Sequence, residues 1–346
     1  MSAQSNEKLL TRSNMRIRPL IASFILMGGL AALILSIALS ISVGAANIKL
    51  SMVWEALFQF NPAIMDHQII REMRMPRVLA CVLVGAAFAV AGALMQGMTR
   101  NPLADSTLLG VNAGAGLMLA VSMAFFPFIT YLNLMFMSFA GAALGLGLVY
   151  GIGTLAKGGL TPVRLTLAGA AVGALLVALA EGIALYYRVG QDLAFWYAGG
   201  VAGIKWLQLE IVAPWIITAL VGAMLISRSI TVLSLGDDVA AGLGQRTGLV
   251  KLAGVVIVLL LAGASVSAVG SIGFVGLIIP HIARFFVGVD YRWIIPCSAI
   301  FGSLLMVLAD IGARIVNPPE EVPIGMIIAV IGVPFFLYLI TRMKGE

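Results

Sequence analysis

Two histidines and two cysteines are all that the 346-residue chain offers for metal or nucleophilic chemistry, and their placement argues against both. Cys81 and Cys297 sit inside apolar runs, where a thiol packs as a small hydrophobe, so neither a disulfide framework nor a metal set is available. His67 and His281 lack a second ligand at metal spacing. The chain has no Gly-x-x-x-x-Gly-Lys-Ser/Thr cradle for a nucleotide, and no His-Glu-x-x-His or Gly-x-Ser-x-Gly for a hydrolase. It reads as a non-enzyme, with no catalytic residue, no metal and no cofactor bound directly.

What remains is polar chemistry at sparse points. A charge at the centre of a membrane helix costs about 2.5–3.5 kcal/mol, so acids within apolar runs are informative. Glu181 is the deep one, facing a pathway or satisfying a hydroxyl on a neighbouring helix; Gln96 and Asn112 are further candidates for pathway polar groups. Glu210 and Asp310 fall nearer span ends. No basic partner is visible within the spans, so coupling to an ion gradient is not favoured and the energy source is expected on another chain. Arg71, Arg74 and Arg77 precede one apolar run and Arg314 ends another. A guanidinium fork suits an acidic partner or an anionic substrate, although each arginine alone also suits interfacial anchoring.

A short polar island, Leu235-Gly-Asp-Asp-Val-Ala-Ala-Gly-Leu-Gly-Gln-Arg-Thr-Gly248, is set between two long apolar runs. Asp237 or Asp238 can N-cap a short helix, Val239 to Ala241 can form it, and Gly242 and Gly244 can end it. A connection between membrane spans needs only a few turn residues, so this loop is either a solvated connector or an element built to touch something.

The elements that position these groups follow from composition. The chain is 61% hydrophobic and 10% charged, with mean hydropathy +1.07. That is a membrane protein, and runs of about 20 apolar residues without period-two alternation make it helical rather than a barrel. The charge-free stretch Pro19 to Ile48 is too long for a signal h-region and reads as a retained first span. Ser106 to Ala156 holds two spans divided near Phe126-Pro127, and Leu252 to Ala283 is either one tilted helix or two segments broken at Gly270–Gly273.

Basic residues gather on the cytoplasmic side, which decides between these. Ten spans place 14 Lys and Arg residues inside and 7 outside, whereas nine spans place 11 and 10. Ten spans win, with both termini and the 235–248 loop cytoplasmic. The expected organisation is an N-terminal cytoplasmic tail over 1–18, a single ten-helix domain over 19–341 and a cytoplasmic tail over 342–346. Gly110/Gly114, Gly141/Gly145, Gly169/Gly173 and Gly199/Gly203 have the spacing at which membrane helices approach closely. The net charge of +6 needs no nucleic acid, since basic span flanks account for it.

Several separated motifs then coincide with one family. Arg74-Met-Pro-Arg77, Gly92-Ala-Leu-Met-Gln96, Arg100-Asn-Pro-Leu-Ala104, the 235–244 loop, Gly273-Phe-Val-Gly-Leu-Ile-Ile-Pro-His281, Ala309-Asp-Ile-Gly-Ala-Arg314 and Glu321-Val-Pro-Ile-Gly325 occur in its order. Over about residues 70–341 the chain resembles the FecCD-type permeases, the membrane subunits of ATP-binding-cassette importers for iron-siderophores, haem and vitamin B12. The resemblance implies an all-α, ten-helix bundle like the B12-importer permease, in the bacterial cytoplasmic membrane. It implies two permease subunits, identical or homologous, two ATPases that use the ATP, and an extracytoplasmic siderophore-binding protein. It maps binding-protein docking onto Arg74, Arg77 and Arg314, and ATPase coupling onto Gly236, Asp237, Asp238, Ala241 and Gly244. It places the cytoplasmic gate at Thr161, Pro162 and Val163. A ferric siderophore is the favoured substrate ahead of haem and cobalamin, and the rival class is a stand-alone secondary transporter.

Overall fold

A computed structural model describes residues 2–44, 48–106, 110–155, 162–318 and 320–343, and among them there is no β-strand. The chain enters through α1 (Ser2–Ser42), which runs back through the stretch expected as a tail, followed by the short helices α2 (Leu50–Phe58) and α3 (Met65–Gln68). A π-helical turn, Ile69–Arg74, leads without interruption into α4 (Met75–Thr99), with Pro76 in its first turn where the missing N–H costs nothing. Next come α5 (Val111–Phe125), α6 (Tyr131–Leu155), α7 (Pro162–Tyr187), α8 (Gly190–Ala198) and α9 (Trp206–Leu233). After α9 the six-residue α10 (Asp237–Gly242) turns the chain into α11 (Thr247–Val258), joined by a π-helical turn to α12 (Ala264–Val269). The chain ends through α13 (Val275–Val287), α14 (Tyr291–Ile315) and α15 (Ile324–Met343).

Seven helices among the described residues are long and apolar enough to cross a membrane, and three shorter apolar helices, Val111–Phe125, Val275–Val287 and Ile324–Leu339, accompany them. Each of the ten apolar segments expected from sequence contains one. The interval Leu252–Ala283 is indeed broken: α12 stops at Val269, and Gly270 (φ 79°) and Phe274 (φ 68°) turn the backbone before α13. Non-helical backbone inside a membrane survives only where protein covers it. Here Gly270 and Ile272 are buried, Gly200 N–H donates to the Val269 carbonyl at 2.8 Å, and a Cβ at Gly270 would strike the Trp196 carbonyl.

The centre of the bundle is α4, buried on every side from Val84 to Thr99, as an all-round apolar helix should be. It packs on α14, α13, α9 and α11. Lipid tails gain nothing from helix association, so close backbone approach supplies the contact. A Cβ at Gly85 or Gly302 would run into the other residue's carbonyl, and one at Gly92 into that of Gly276. The α5–α6 pair uses the expected glycines, since Gly114 and Gly141 abut each other's carbonyls and Gly145 abuts that of Gly110. By contrast Gly173 and Gly203 have open space around them. At the edge, α7 buries a narrow stripe, Gly169, Val172, Leu176, Ala180 and Ala184, one residue per turn.

Candidate functional sites at the two ends of α4

Arg77 stands in the first turn of α4 and Arg100 just beyond its last, about 35 Å apart at 1.5 Å per residue. Each belongs to a cluster of charged side chains, and the clusters are built differently.

At the Arg77 end the organising group is Asp310 of α14, which is fully buried. Arg77 donates to Asp310 Oδ1 through Nε at 2.9 Å and Nη2 at 2.8 Å, and its Nη1 donates to Glu321 Oε1 at 2.8 Å. Arg314, one helical turn beyond Asp310, bonds Oδ2 at 2.7 Å. Its Nε donates to the Asp310 carbonyl at 3.3 Å, and its other N–H groups reach the end of α1, donating to the carbonyls of Ser40 (2.9 Å) and of Val43 just beyond it (2.7 Å) and to Ser40 Oγ (2.6 Å). Arg74 adds a bond to the Ile41 carbonyl. The last carbonyls of α1 lack intrahelical partners, and the two arginines satisfy them while placing positive charge at the helix C-terminus.

The arginines that the resemblance maps to docking are therefore mostly enclosed. Arg74 is 9% exposed, and the side chains of Arg77 and Arg314 are 12% and 6% exposed. A dehydrated carboxylate at Asp310 demands countercharge, and Arg77 and Arg314 fold inward to supply it. Asp310, expected near a span end, has two basic partners. The Asp310/Arg314 spacing of four was the available signal. The exposed member of the basic set is Arg71, whose guanidinium lies 4.5 Å from the centre of the Phe60 ring and whose carbonyl accepts from Trp206 Nε1 at 2.8 Å.

At the Arg100 end, α10 spans Asp237–Gly242. Neither aspartate caps it. The N-cap is Gly236, at φ 130° and ψ 149°, a conformation that side chains rarely adopt, and it makes no side-chain cap bond. Asp237 is instead the first helical residue, drawn to Lys251 Nζ at 2.9 Å and Arg100 at 3.6 Å. The helix therefore ties to the ends of α4 and α11 through one half-exposed carboxylate, 37% exposed. Ala241 and Asp238 lie within α10. Gly242 is its last residue rather than its terminator; Leu243 is the C-cap, and Gly244 follows at φ 80°. Gln245 Nε2 donates to the Ser229 carbonyl at 2.9 Å, securing the exit. Ala240 is buried, while Leu235, Val239 and Leu243 are 64%, 49% and 69% exposed.

A second polar group stabilises this end. Asp290 is the N-cap of α14, accepting from Arg292 N–H at 3.0 Å, and Thr231 Oγ1 bridges Asp290 (3.1 Å) and Tyr291 N–H (3.0 Å). Burial alone would raise the Asp290 carboxyl, but bonds from Arg292 and Thr231 outweigh it and hold its pKa down.

The candidate pathway groups separate. Gln96 is enclosed in packed protein, donating to the Gly276 and Leu277 carbonyls (3.3 Å each) and accepting from Arg284 Nη2 at 2.9 Å. It is a bridge between α4 and α13 rather than a lining residue, because α4 is covered on every side around it. Asn112, half-buried at the start of α5, donates to Ser271 Oγ at 2.8 Å and so braces the broken segment before α13. Glu181 is exposed on α7 and, among the described residues, makes no hydrogen bond or ion pair. Burial, with the Glu181 carboxylate second, raises the pKa of the Tyr197 phenol on α8. Of the gate residues, Thr161 lies outside the described residues, as do the side chains of Pro162 and Val163. No group of three or more His, Cys, Asp or Glu that could hold a metal occurs among the described residues.

Comparison with known proteins agrees with this architecture. The FecCD transport family matches residues 32–342. The chain is 54% identical over 323 residues to the iron(3+)-hydroxamate import system permease protein FhuB of Bacillus subtilis (strain 168), covering 93% of this chain and 84% of that protein. It is 41% identical to the iron-uptake system permease protein FeuB of the same organism, covering 91% and 94%, and 40% identical to the ferric enterobactin transport system permease protein FepD of Escherichia coli (strain K12), again covering 91% and 94%. A solved structure of a metal-chelate type ABC transporter in an inward-facing conformation superimposes with a TM-score of 0.82 at 26% identity, covering 92% of this chain and 99% of that one. A multi-pass helical protein with this match along nearly all of its length belongs to the FecCD transport family.

Proposed function

We propose that the chain is the permease subunit of an ATP-driven importer that carries a ferric siderophore across the bacterial cytoplasmic membrane. Ferric hydroxamates are the first candidates, after the 54% identical relative. It works in ten crossings beside a second permease subunit, with ATP hydrolysed by two separate ATPases. The observation that carries this reading is α10: a helix anchored beneath through Ala240 and Asp237 while Leu235, Val239 and Leu243 stay uncovered. Apolar side chains on a polar loop outside the spans fit a protein partner better than water or lipid. In this reading the ATPase receives them, and its closure on ATP moves α10 as a lever against α4 and α11.

A loaded binding protein engages the opposite end. With Arg74 and Arg314 bonded to α1, docking falls chiefly on Arg77 and on the exposed Arg71. Reorientation of the edge helices, α7 foremost, then opens the route, and residues 161–163 at its start serve as the inner gate. Glu181 faces that route in this reading, because a carboxylate on a lipid-facing surface is disfavoured. Co-purification with an ATPase, and acceleration of its turnover by loaded binding protein, tests the proposal. Transport by the chain in vesicles without any ATPase would overturn it in favour of a secondary transporter.

A further inference from the structure

Arg77 has two edges with different neighbours. The inner edge, Nε and Nη2, grips Asp310, a fully buried carboxylate. The outer N–H, Nη1, meets Glu321, whose side chain is 40% exposed. We propose that Glu321 occupies, within the undocked chain, the place where a carboxylate of the binding protein lands on Arg77. This inference rests on the docking reading above and specifies its mechanism.

The two carboxylates cannot trade roles. Removing Asp310 would strand buried positive charge, whereas an exposed ion pair is weak and its acid can swing into water. The inner bonds hold the guanidinium plane in place, so the outer N–H is preorganised for whichever carboxylate reaches it. The backbone around Glu321 stays fixed during exchange. Val322 N–H donates to the Ala313 carbonyl at 3.1 Å, and a Cβ at Gly325 would press on the Ala198 carbonyl at 2.7 Å. Exchange therefore needs a side-chain rotation and no loop movement. The neighbouring Glu320 supplies a built-in control, for it accepts from Asn317 Nδ2 at 3.5 Å and, among the described residues, makes no pair with Arg77. Glu321 thus acts as an internal competitor that keeps Arg77 paired until an acidic surface of the partner replaces it.

The test is the affinity of loaded binding protein for the permease–ATPase assembly in lipid nanodiscs at fixed ionic strength. Glu321→Gln should tighten binding about two- to fivefold, the scale of an exposed ion pair. Glu320→Gln should leave it unchanged, and the gain from E321Q should vanish in an Arg77→Gln background. Unchanged or weaker binding by E321Q overturns the proposal. So does an equal gain from E320Q, which would mark a general charge effect. The docking reading fails separately, if R77Q captures the binding protein as well as wild type while still retaining its ATPase. Should R77Q fail to assemble, E321Q and E320Q alone decide the matter.

Discussion

The two ends of α4 hold charge in opposite ways. Around Asp310 the groups are buried, each guanidinium has several partners, and α1, α4 and α14 are locked together. Around Asp237 one half-exposed carboxylate meets two cations, and the apolar side chains of Val239 in α10 and of Leu235 and Leu243 beside it face outward. The first arrangement suits a rigid platform whose geometry must not drift. The second suits a part that can move: its own bonds are weak, and the apolar side chains beside them are uncovered.

The contrast orders the expected effects of mutation. Asp310→Asn should be the most damaging, since it leaves Arg77 and Arg314 as buried cations lacking their counter-ion; a loss of about 3–5 kcal/mol, read as collapse of folded yield and thermal stability in detergent, is expected. Unchanged stability would break the comparison at its stronger end. Leu243→Asp should leave stability within about 0.5 kcal/mol because the side chain is exposed, yet cut binding-protein-stimulated ATP turnover by roughly tenfold or more. Equal turnover with wild type would remove α10 as the coupling element.

Asp290→Ala should cost about 1 kcal/mol through loss of the α14 cap. That contribution depends on pH. The Asp290 pKa is depressed in the fold, so its stabilisation is full above the unfolded carboxylate value and fades as pH falls through the lower folded value. The difference in melting temperature between D290A and wild type should accordingly shrink in acid. Asp237→Asn should have the smallest effect on stability, about 0.2–1 kcal/mol, and diminishing with added salt. A salt-insensitive loss of several kcal/mol would show that the two ends are alike after all.

Helix positions were largely legible because membrane helices announce themselves through length and hydropathy. The break before α13 was found from charge asymmetry, a global property, and the structure supplied its local cause in Gly270 and Phe274. The glycine spacing was half informative. Gly114 and Gly141 form a contact, whereas Gly173 has the same spacing and touches nothing, because α7 lies at the bundle edge. The approaches of Gly85 to Gly302 and of Gly92 to Gly276 join helices remote in sequence and have no local signature.

The sites followed the same division. Arginine at 74, 77 and 314 was visible as a set, but Arg77 and Arg314 turn inward to Asp310, distant in sequence from Arg77, and Arg74 to the Ile41 carbonyl. Gln96 looked like a polar group facing a path and proved to be a bridge to α13 and Arg284. The aspartates of α10 carried the composition of a cap, yet Gly236 took that position, since Lys251 and Arg100 offered Asp237 charge and only glycine readily accepts the backbone turn.

By itself, then, the sequence determined a helical membrane protein, its apolar segments, the lack of a nucleotide cradle and the family motifs, because these depend on composition and on spacing along the chain. The tertiary structure decided which charges are paired and which lie open. That outcome depends on burial, and burial arises only when helices remote in sequence close around a group and exclude water from it.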